Sequence, residues 1–469
     1  MRFETVSGAN WHALDLQPAA LPLGSRSIRI EGKVHLPNEL KRGTRRTGDL
    51  IDFDSSTPDV KVTLELSDQG IGLEVPWSGH DDHYASWFLR DVLQGTGLAA
   101  KTVPKLLLFN DSHGSVLLVN CWPRGFHTNY FTGTGKVWAS HAVLGVNREI
   151  DFLKVNGLRS EVSGLREWLQ VRSISNDFDI STRALNVVAK AASSIEISPN
   201  LSFTPMWLEE RPDGMESILI RDFVTCQSRS TKPLPWDELI EQHHGVRDLL
   251  VFARWRRETC TVTHVTRDDD PLLTLDGAEH GEQWRAVVSA HDEAPPSPAH
   301  GSVHELFGYV EIGGAVGVQR WLELREEFAR ALDPIVTDRY FKNVPAVTHL
   351  AQVGPALEAL GYLLFKNRDG RTKNVAKATS LQSRLDRIVA AVDGALPFDG
   401  PEWAKGMTRA YNAIKHANRV LPSELDLVNR WQESTVVVRA WVAVELGIQP
   451  AVVKRRLELD PSAGKFTSR

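Results

Sequence analysis

Residues 60–75 read "VKVTLELSDQGIGLEV". Apolar and polar residues alternate on both sides of a Ser-Asp-Gln-Gly centre. That is the period of two half-buried strands joined by a tight turn. The design returns, with a longer polar turn, in "KLLLFNDSHGSVLLVNCW" (105–122). "SIRIEGKVHL" (27–36) alternates Ile28, Ile30, Gly32, Val34 and Leu36, and "GKVWASHAVLGV" (135–146) reads as one further apolar strand. Short strands punctuated by Gly, Asn and Asp predict a sandwich or barrel-like β-rich region.

"VNGLRSEVSGLREWL" (155–169) breaks this pattern. Leu158, Val162, Leu165 and Leu169 fall at helical spacing and predict one short amphipathic helix on the sheet. Strands resume in "SILIRDFVTCQS" (217–228) and "TCTVTHVT" (259–266), with a helix over 236–253 broken at Gly245. The Pro- and Ser-rich "AHDEAPPSPAHGS" (290–302) reads as a loop or linker. Beyond about residue 316 the apolar period becomes helical, over 318–332, 347–365, 380–392, 402–420 and 423–446. Pro422 and Gly447 stand where helix stops are expected. The expected fold class is multidomain α+β. A β-rich region over 1–315, divisible near 155–175, precedes a separate all-α helical bundle over 316–469.

The 469 residues, 42% hydrophobic and 24% charged, suit a chain with several buried cores. Three scattered cysteines, Cys121, Cys226 and Cys260, build no disulfide framework and suit a reducing compartment. The opening "MRFETVSGANWHALDL" holds no apolar signal core, and no run is long enough to span a membrane, so the expected location is cytoplasmic. The net charge of −5 hides an asymmetry. From Gln319 onward 23 Lys and Arg face 17 Asp and Glu, while the rest of the chain holds 31 against 42. A basic carboxy-terminal part hints at a polyanionic partner there.

Within that part lies "RAYNAIKHANR" (409–419). On a continuous helix Arg409, Asn412, His416 and Arg419 share a face about 80° wide, with Lys415 on its flank and Tyr411 pointing elsewhere. One group titrating near neutrality, one amide and two fixed cations suit RNA cleavage without a metal. The histidine moves the proton of a 2'-hydroxyl that attacks phosphorus. An arginine stabilises the phosphorane oxygens. Asn412 orients the imidazole or binds a phosphate oxygen. One helix supplies one histidine, so a second copy of the chain would supply the second proton-handling group. An ordinary solvated helix face meets the same spacing.

This stretch, late in a helical region, resembles the HEPN superfamily of ribonucleases, whose signature is an Arg, four to six residues, then a His. The strands followed by "VNGLRSEVSGLREWL", and "PALEALGYLLF" followed by "NAIKHAN", resemble ApeA-type anti-phage proteins with a carboxy-terminal HEPN domain. The resemblance implies a metal-independent RNA endonuclease acting in abortive infection, with no cofactor. Its substrate would be RNA, tRNA among the candidates. It would work as a homodimer or higher oligomer through the HEPN domain, with the amino-terminal region sensing a phage-derived trigger and restraining the nuclease. His416, Asn412 and Arg409 are the carried-over catalytic residues. Many members have an arginine directly before the asparagine, where this chain has Tyr411. That departure leaves open a non-catalytic sensor or scaffold with a degenerate bundle.

"FKNRDGRTKNVAK" (365–377) carries Lys366, Arg368, Arg371, Lys373 and Lys377, which either clamp RNA phosphates, together with Lys415 and Arg419, or form a solvated loop. Glu358 either pairs with an arginine of the His416 helix or lies on the surface. "HDDH" (80–83) and the His243–His244 pair lack the spacing of a metal site, and "GTGK" (133–136) lacks that of a phosphate loop. The fourteen tryptophans could line a sugar-binding groove but more often fill cores.

Overall fold

The computed structural model describes residues 29–30, 33–34, 38–51, 58–79, 82–89, 102–129, 132–146, 149–210, 216–290 and 304–464. The first elements are β1 (Arg29–Ile30), β2 (Lys33–Val34), β3 (Arg45–Ile51), β4 (Val60–Ser67), β5 (Gly70–Ser78), α1 (Ala85–Phe88), β6 (Leu106–Asp111), β7 (Gly114–Val119), β8 (Trp122–Asn129), β9 (Thr132–Ala139) and β10 (His141–Leu144). Then come β11 (Lys154–Val162), α2 (Leu165–Leu169), β12 (Ile174–Asp179), β13 (Ala184–Ala189), β14 (Ile195–Ser198), β15 (Leu201–Glu210), β16 (Leu219–Pro235), α3 (Trp236–Arg254), β17 (Cys260–Leu273) and β18 (Glu279–Ser289). The helical part holds α4 (Ala315–Glu327), α5 (Ala329–Tyr340), α6 (Ala346–Leu363), α7 (Lys373–Ala378), α8 (Leu381–Ala391), α9 (Gly400–Lys415), α10 (Glu424–Glu445) and α11 (Pro450–Leu459).

The predicted order, β-rich and then all-α, is what the chain adopts. Fourteen strands form one hydrogen-bonded run, β14-β15-β16-β11-β17-β18-β10-β7-β6-β3-β4-β5-β9-β8. Its two halves meet where β10 pairs with β18, Ala142 opposite Val288. The alternating stretches form the hairpins β4–β5 and β6–β7, as their period requires. Of the strand expected over 27–36, the described residues form β1 and β2, which pair with each other rather than continuing as one strand. The apolar run 135–146 is two strands, not one, split at Ser140, whose backbone N–H and hydroxyl both bond to the Val119 carbonyl.

The helix expected over 155–169 is mostly a strand. β11 is central, paired with β16 on one side and β17 on the other. Six of its nine residues in a row are buried, so it shows no alternation, and Leu158 and Val162 fall by chance at helical spacing with Leu165 and Leu169 of α2. Only Leu165–Leu169 is helical. The expected break at Gly245 is also absent: α3 runs unbroken, and the Gly245 carbonyl accepts the Trp321 indole N–H at 2.7 Å. The linker expected over 290–302 lies, apart from Ala290, outside the described residues.

α3 lies across β11 and β16 and also meets α4 and α5. Its Leu249, Leu250 and Phe252 share one continuous apolar core with Trp321, Phe328, Leu357, Trp403 and Trp441. Residue 316 therefore marks a change of period, while the core runs across it. Polar latches reinforce the junction. Arg257 donates to the carbonyls of Arg339 and Phe341, and Trp168 donates to the Phe307 carbonyl. Among the described residues no helix is long and apolar enough to cross a membrane.

Candidate functional site

α6 is the platform of the helical site. Two glycines seven residues apart, Gly354 and Gly361, let its neighbours approach closely. A Cβ at Gly354 would lie 2.3 Å from the Tyr411 ring of α9, and one at Gly361 would lie 2.5 Å from Arg384 Cβ of α8. α9 starts on an Asp399 cap, whose carboxylate accepts the Glu402 N–H at 2.7 Å. It buries Trp403, Ala404, Met407, Ala410, Tyr411 and Ala413. That apolar stripe ends at Ile414, and "KHANR" follows. With nothing left to bury, the helix stops at Lys415.

This overturns the single-face expectation. His416 is extended, φ −125° and ψ 107°, with its N–H bonded to the Asn412 carbonyl at 3.1 Å. Arg419 lies past a turn closed on the His416 carbonyl. Arg409 and Asn412 still share a helix face, while the orientation of His416 is set by the C-terminal cap. His416, Arg409 and Arg419 are exposed and Asn412 is half-buried. Among the described residues none of the four side chains makes a hydrogen bond or ion pair with another group.

Tyr411 points away from Arg409, as the helical geometry predicts, and into the α6–α9 contact. Burial, with the Glu358 carboxylate beside its hydroxyl, pushes its pKa up to about 12. Glu358 does hold a cation of the His416 helix, but that cation is Lys415, at 3.4 Å to both oxygens, not an arginine. Arg384 Nη1 of α8 stands 4.0 Å away, and the Lys415 ammonium lies 4.9 Å from the Tyr411 ring centre. Lys415 is thus already paired. Its neighbour His416 follows directly at the open end of α9.

α6 and α9 run parallel here, Gly354 beside Tyr411 and Glu358 beside Lys415, so the basic stretch after α6 extends beyond the same end. It begins as a π-helical turn, Leu364–Arg368. Its cations divide. Arg368 bonds to Glu327 at 2.9 Å and Glu445 at 3.3 Å and lies over the Phe328 ring. Arg371 lies over the Phe365 ring at 3.9 Å. Lys366 and Lys373 are exposed and, among the described residues, unpaired. Of the five cations expected to clamp phosphates from this stretch, Lys366, Lys373 and Lys377 are therefore uncommitted among the described residues.

Residues 50–271 match the family described as ApeA N-terminal domain 1. Over that span the chain is ApeA-like. No curated protein and no solved structure matches the chain. The ApeA-like span runs from the end of β3 into β17 and leaves α4–α11 outside. In "HDDH", His80 and Asp81 lie outside the described residues, and Asp82 caps the turn before α1 by accepting the N–H groups of Ser78 and Tyr84. His243 is buried against Ser160 Oγ at 2.7 Å.

The ApeA-like region also holds a feature that the sequence did not single out. A cleft of about 730 Å³ lies over β11, β16 and β17, bordered by α2 and by Arg42 from the turn before β3. Its lining spans residues 42 to 263, and only the strand order brings these side chains together.

Proposed function

We propose that this chain is an anti-phage defence protein acting by abortive infection, whose helical part is a metal-independent HEPN-type RNA endonuclease. The match of residues 50–271 to ApeA N-terminal domain 1 supports the defence reading. The observation that carries the nuclease reading is the uncommitted His416 at the end of α9, on a helix fixed by Tyr411, Gly354 and Glu358. In this reading His416 takes the proton of the RNA 2'-hydroxyl, which attacks the adjacent phosphorus. Asn412 binds a phosphate oxygen, and Arg409 stabilises the charge that develops on the phosphorane. Lys366, Lys373 and Arg419 hold the flanking phosphates, of tRNA or another RNA. A second copy brings its own His416 to protonate the leaving 5'-oxygen. The ApeA-like region restrains the site until a phage-derived trigger binds.

A second reading, a scaffold with a degenerate bundle, draws support from Tyr411. It fills the seat beside Glu358 that an arginine would occupy in many HEPN proteins. The test is expression of wild type, His416→Ala and Tyr411→Arg in phage-challenged cells. The nuclease reading predicts protection and RNA breakdown in wild type and neither in His416→Ala. The scaffold reading predicts intact RNA in both, with breakdown appearing only in Tyr411→Arg.

A further inference from the structure

The cleft in the ApeA-like region is lined by three arginines and three carboxylates among apolar and hydroxyl side chains, and its charges are unevenly committed. Arg221 pairs with Glu161 at 3.1 Å, Arg166 with Glu167 at 2.9 Å, and Arg42 with Asp68 at 2.8 Å. Every guanidinium on the lining is thus neutralised. An acceptor is not. Asp222 is 11% exposed. Its Oδ2 takes the Ser173 N–H at 3.2 Å, while its Oδ1 receives no hydrogen bond. A buried carboxylate oxygen left without a donor is costly and favours a ligand that brings one. The chain up to residue 318 is also net acidic, which disfavours a polyanion here.

The same hydrogen bond joins the cleft to an unusual element. Ser173 is the foot of the β12–β13 hairpin, closed below by Lys190 N–H to the Ser173 carbonyl. The register puts Ile174 opposite Ala189, Asn176 opposite Val187 and Phe178 opposite Leu185, so one face is largely apolar. Phe178 is 56% and Leu185 59% exposed. A two-stranded hairpin is marginal in water alone, and an apolar face on one is expected to be covered.

We propose that the cleft and the β12–β13 arm rising from its rim form a docking site for an extended peptide segment carrying a basic side chain between apolar ones. The cationic group reaches the acidic side chains of the cleft, where an arginine makes charge-assisted hydrogen bonds. The backbone lies along the Thr259, Thr261 and Thr263 hydroxyls lining the sheet face. The apolar neighbours cover Phe178 and Leu185. The binding stands apart from the nuclease reading. Its use as the trigger rests on that reading.

The test is calorimetric titration of the full chain, carrying His416→Ala, with an acetylated and amidated hexapeptide alternating leucine and arginine. The same peptide with glutamate for arginine, spermidine and poly(uridylate) are the comparison ligands. The expected result is saturable binding of the arginine peptide, weakened at least tenfold by Asp222→Asn with Glu161→Gln. A comparable loss follows from Phe178→Ser with Leu185→Ser, a pair of exposed positions at which folding is preserved, as an unchanged melting temperature would verify. Equal affinity in all variants, tighter binding of the glutamate peptide or poly(uridylate), or spermidine binding as tightly as the peptide would overturn the proposal. Because the titration uses a chain without His416, its result is independent of whether RNA is cut.

Discussion

The ring of Tyr411 rests on the bare backbone of Gly354, so close that a single added methyl would stand 2.3 Å from it. This contact sets how near α9 lies to α6, and hence where Lys415 and His416 emerge. Alanine at 354 gains helix propensity, up to about 1 kcal/mol. The overlap costs about 1–3 kcal/mol, because the ring is buried and cannot swing aside. Gly354→Ala is therefore expected to lower the melting temperature. Tyr411→Phe, which keeps the ring and removes the hydroxyl beside Glu358, costs about 1 kcal/mol. A melting temperature for Gly354→Ala equal to wild type would refute the close packing.

Arg409 and Arg419 are exposed and uncommitted, so replacing either by alanine should change stability by no more than about 0.5 kcal/mol. Any loss of RNA cleavage in these variants then reports on chemistry or binding alone. Arg409, one turn from Asn412, is expected to show the larger loss in kcat. Arg419 should act mainly through KM.

The basic stretch after α6 should separate into two behaviours. Arg368→Ala strands Glu327 and Glu445 and uncovers Phe328, so it should destabilise by on the order of 1 kcal/mol while leaving the salt dependence of RNA binding unchanged. Lys366→Ala and Lys373→Ala should leave the melting temperature in place, and each should reduce the slope of log K against log salt by about 1. An Arg368→Ala protein that melts normally but binds RNA less steeply would reverse the assignment.

Two buried histidines predict the acid response. Burial, with His244 beside it, pushes His243 down to about 3, and burial with Arg159 nearby holds His264 at about 4. Unfolded, both titrate near 6.5. As pH falls below that value the unfolded chain binds protons that the folded chain refuses. Stability is therefore complete above about pH 6.5 and lost toward pH 4 and below, by on the order of 1 kcal/mol per pH unit for each group. His243→Leu should flatten the fall of melting temperature between pH 6.5 and 4. A slope unchanged from wild type would show that His243 is not a neutral buried base.

The hairpin around residue 68 was legible because β4 buries one face and not the other, and the one around residue 112 because a short polar turn separates two apolar runs. β11 was not, because a central strand under α3 loses the alternation that marks a strand. The end of α9 was hidden for another reason. Lys415, Ala417 and Arg419 all favour a helix, and only the end of the apolar stripe at Ile414 stops it. Pairings across long separations, such as Arg368 with Glu445 or Arg42 with the cleft, depend on the fold and left no local signal. His416 and Asn412 were singled out by helical spacing and then by resemblance, and Glu358 by its place in an apolar helix. The structure added that Glu358 is held by Lys415 and Arg384, and that Tyr411 faces it.

The most direct test of the account is the chemistry of the RNA ends. Purified wild-type chain, incubated with RNA in EDTA, should leave 2',3'-cyclic phosphate and 5'-hydroxyl ends, as the proposed attack by the neighbouring 2'-hydroxyl requires. His416→Ala should leave the RNA whole. Cleavage that persists in His416→Ala, or that yields 3'-hydroxyl and 5'-phosphate ends, would contradict it.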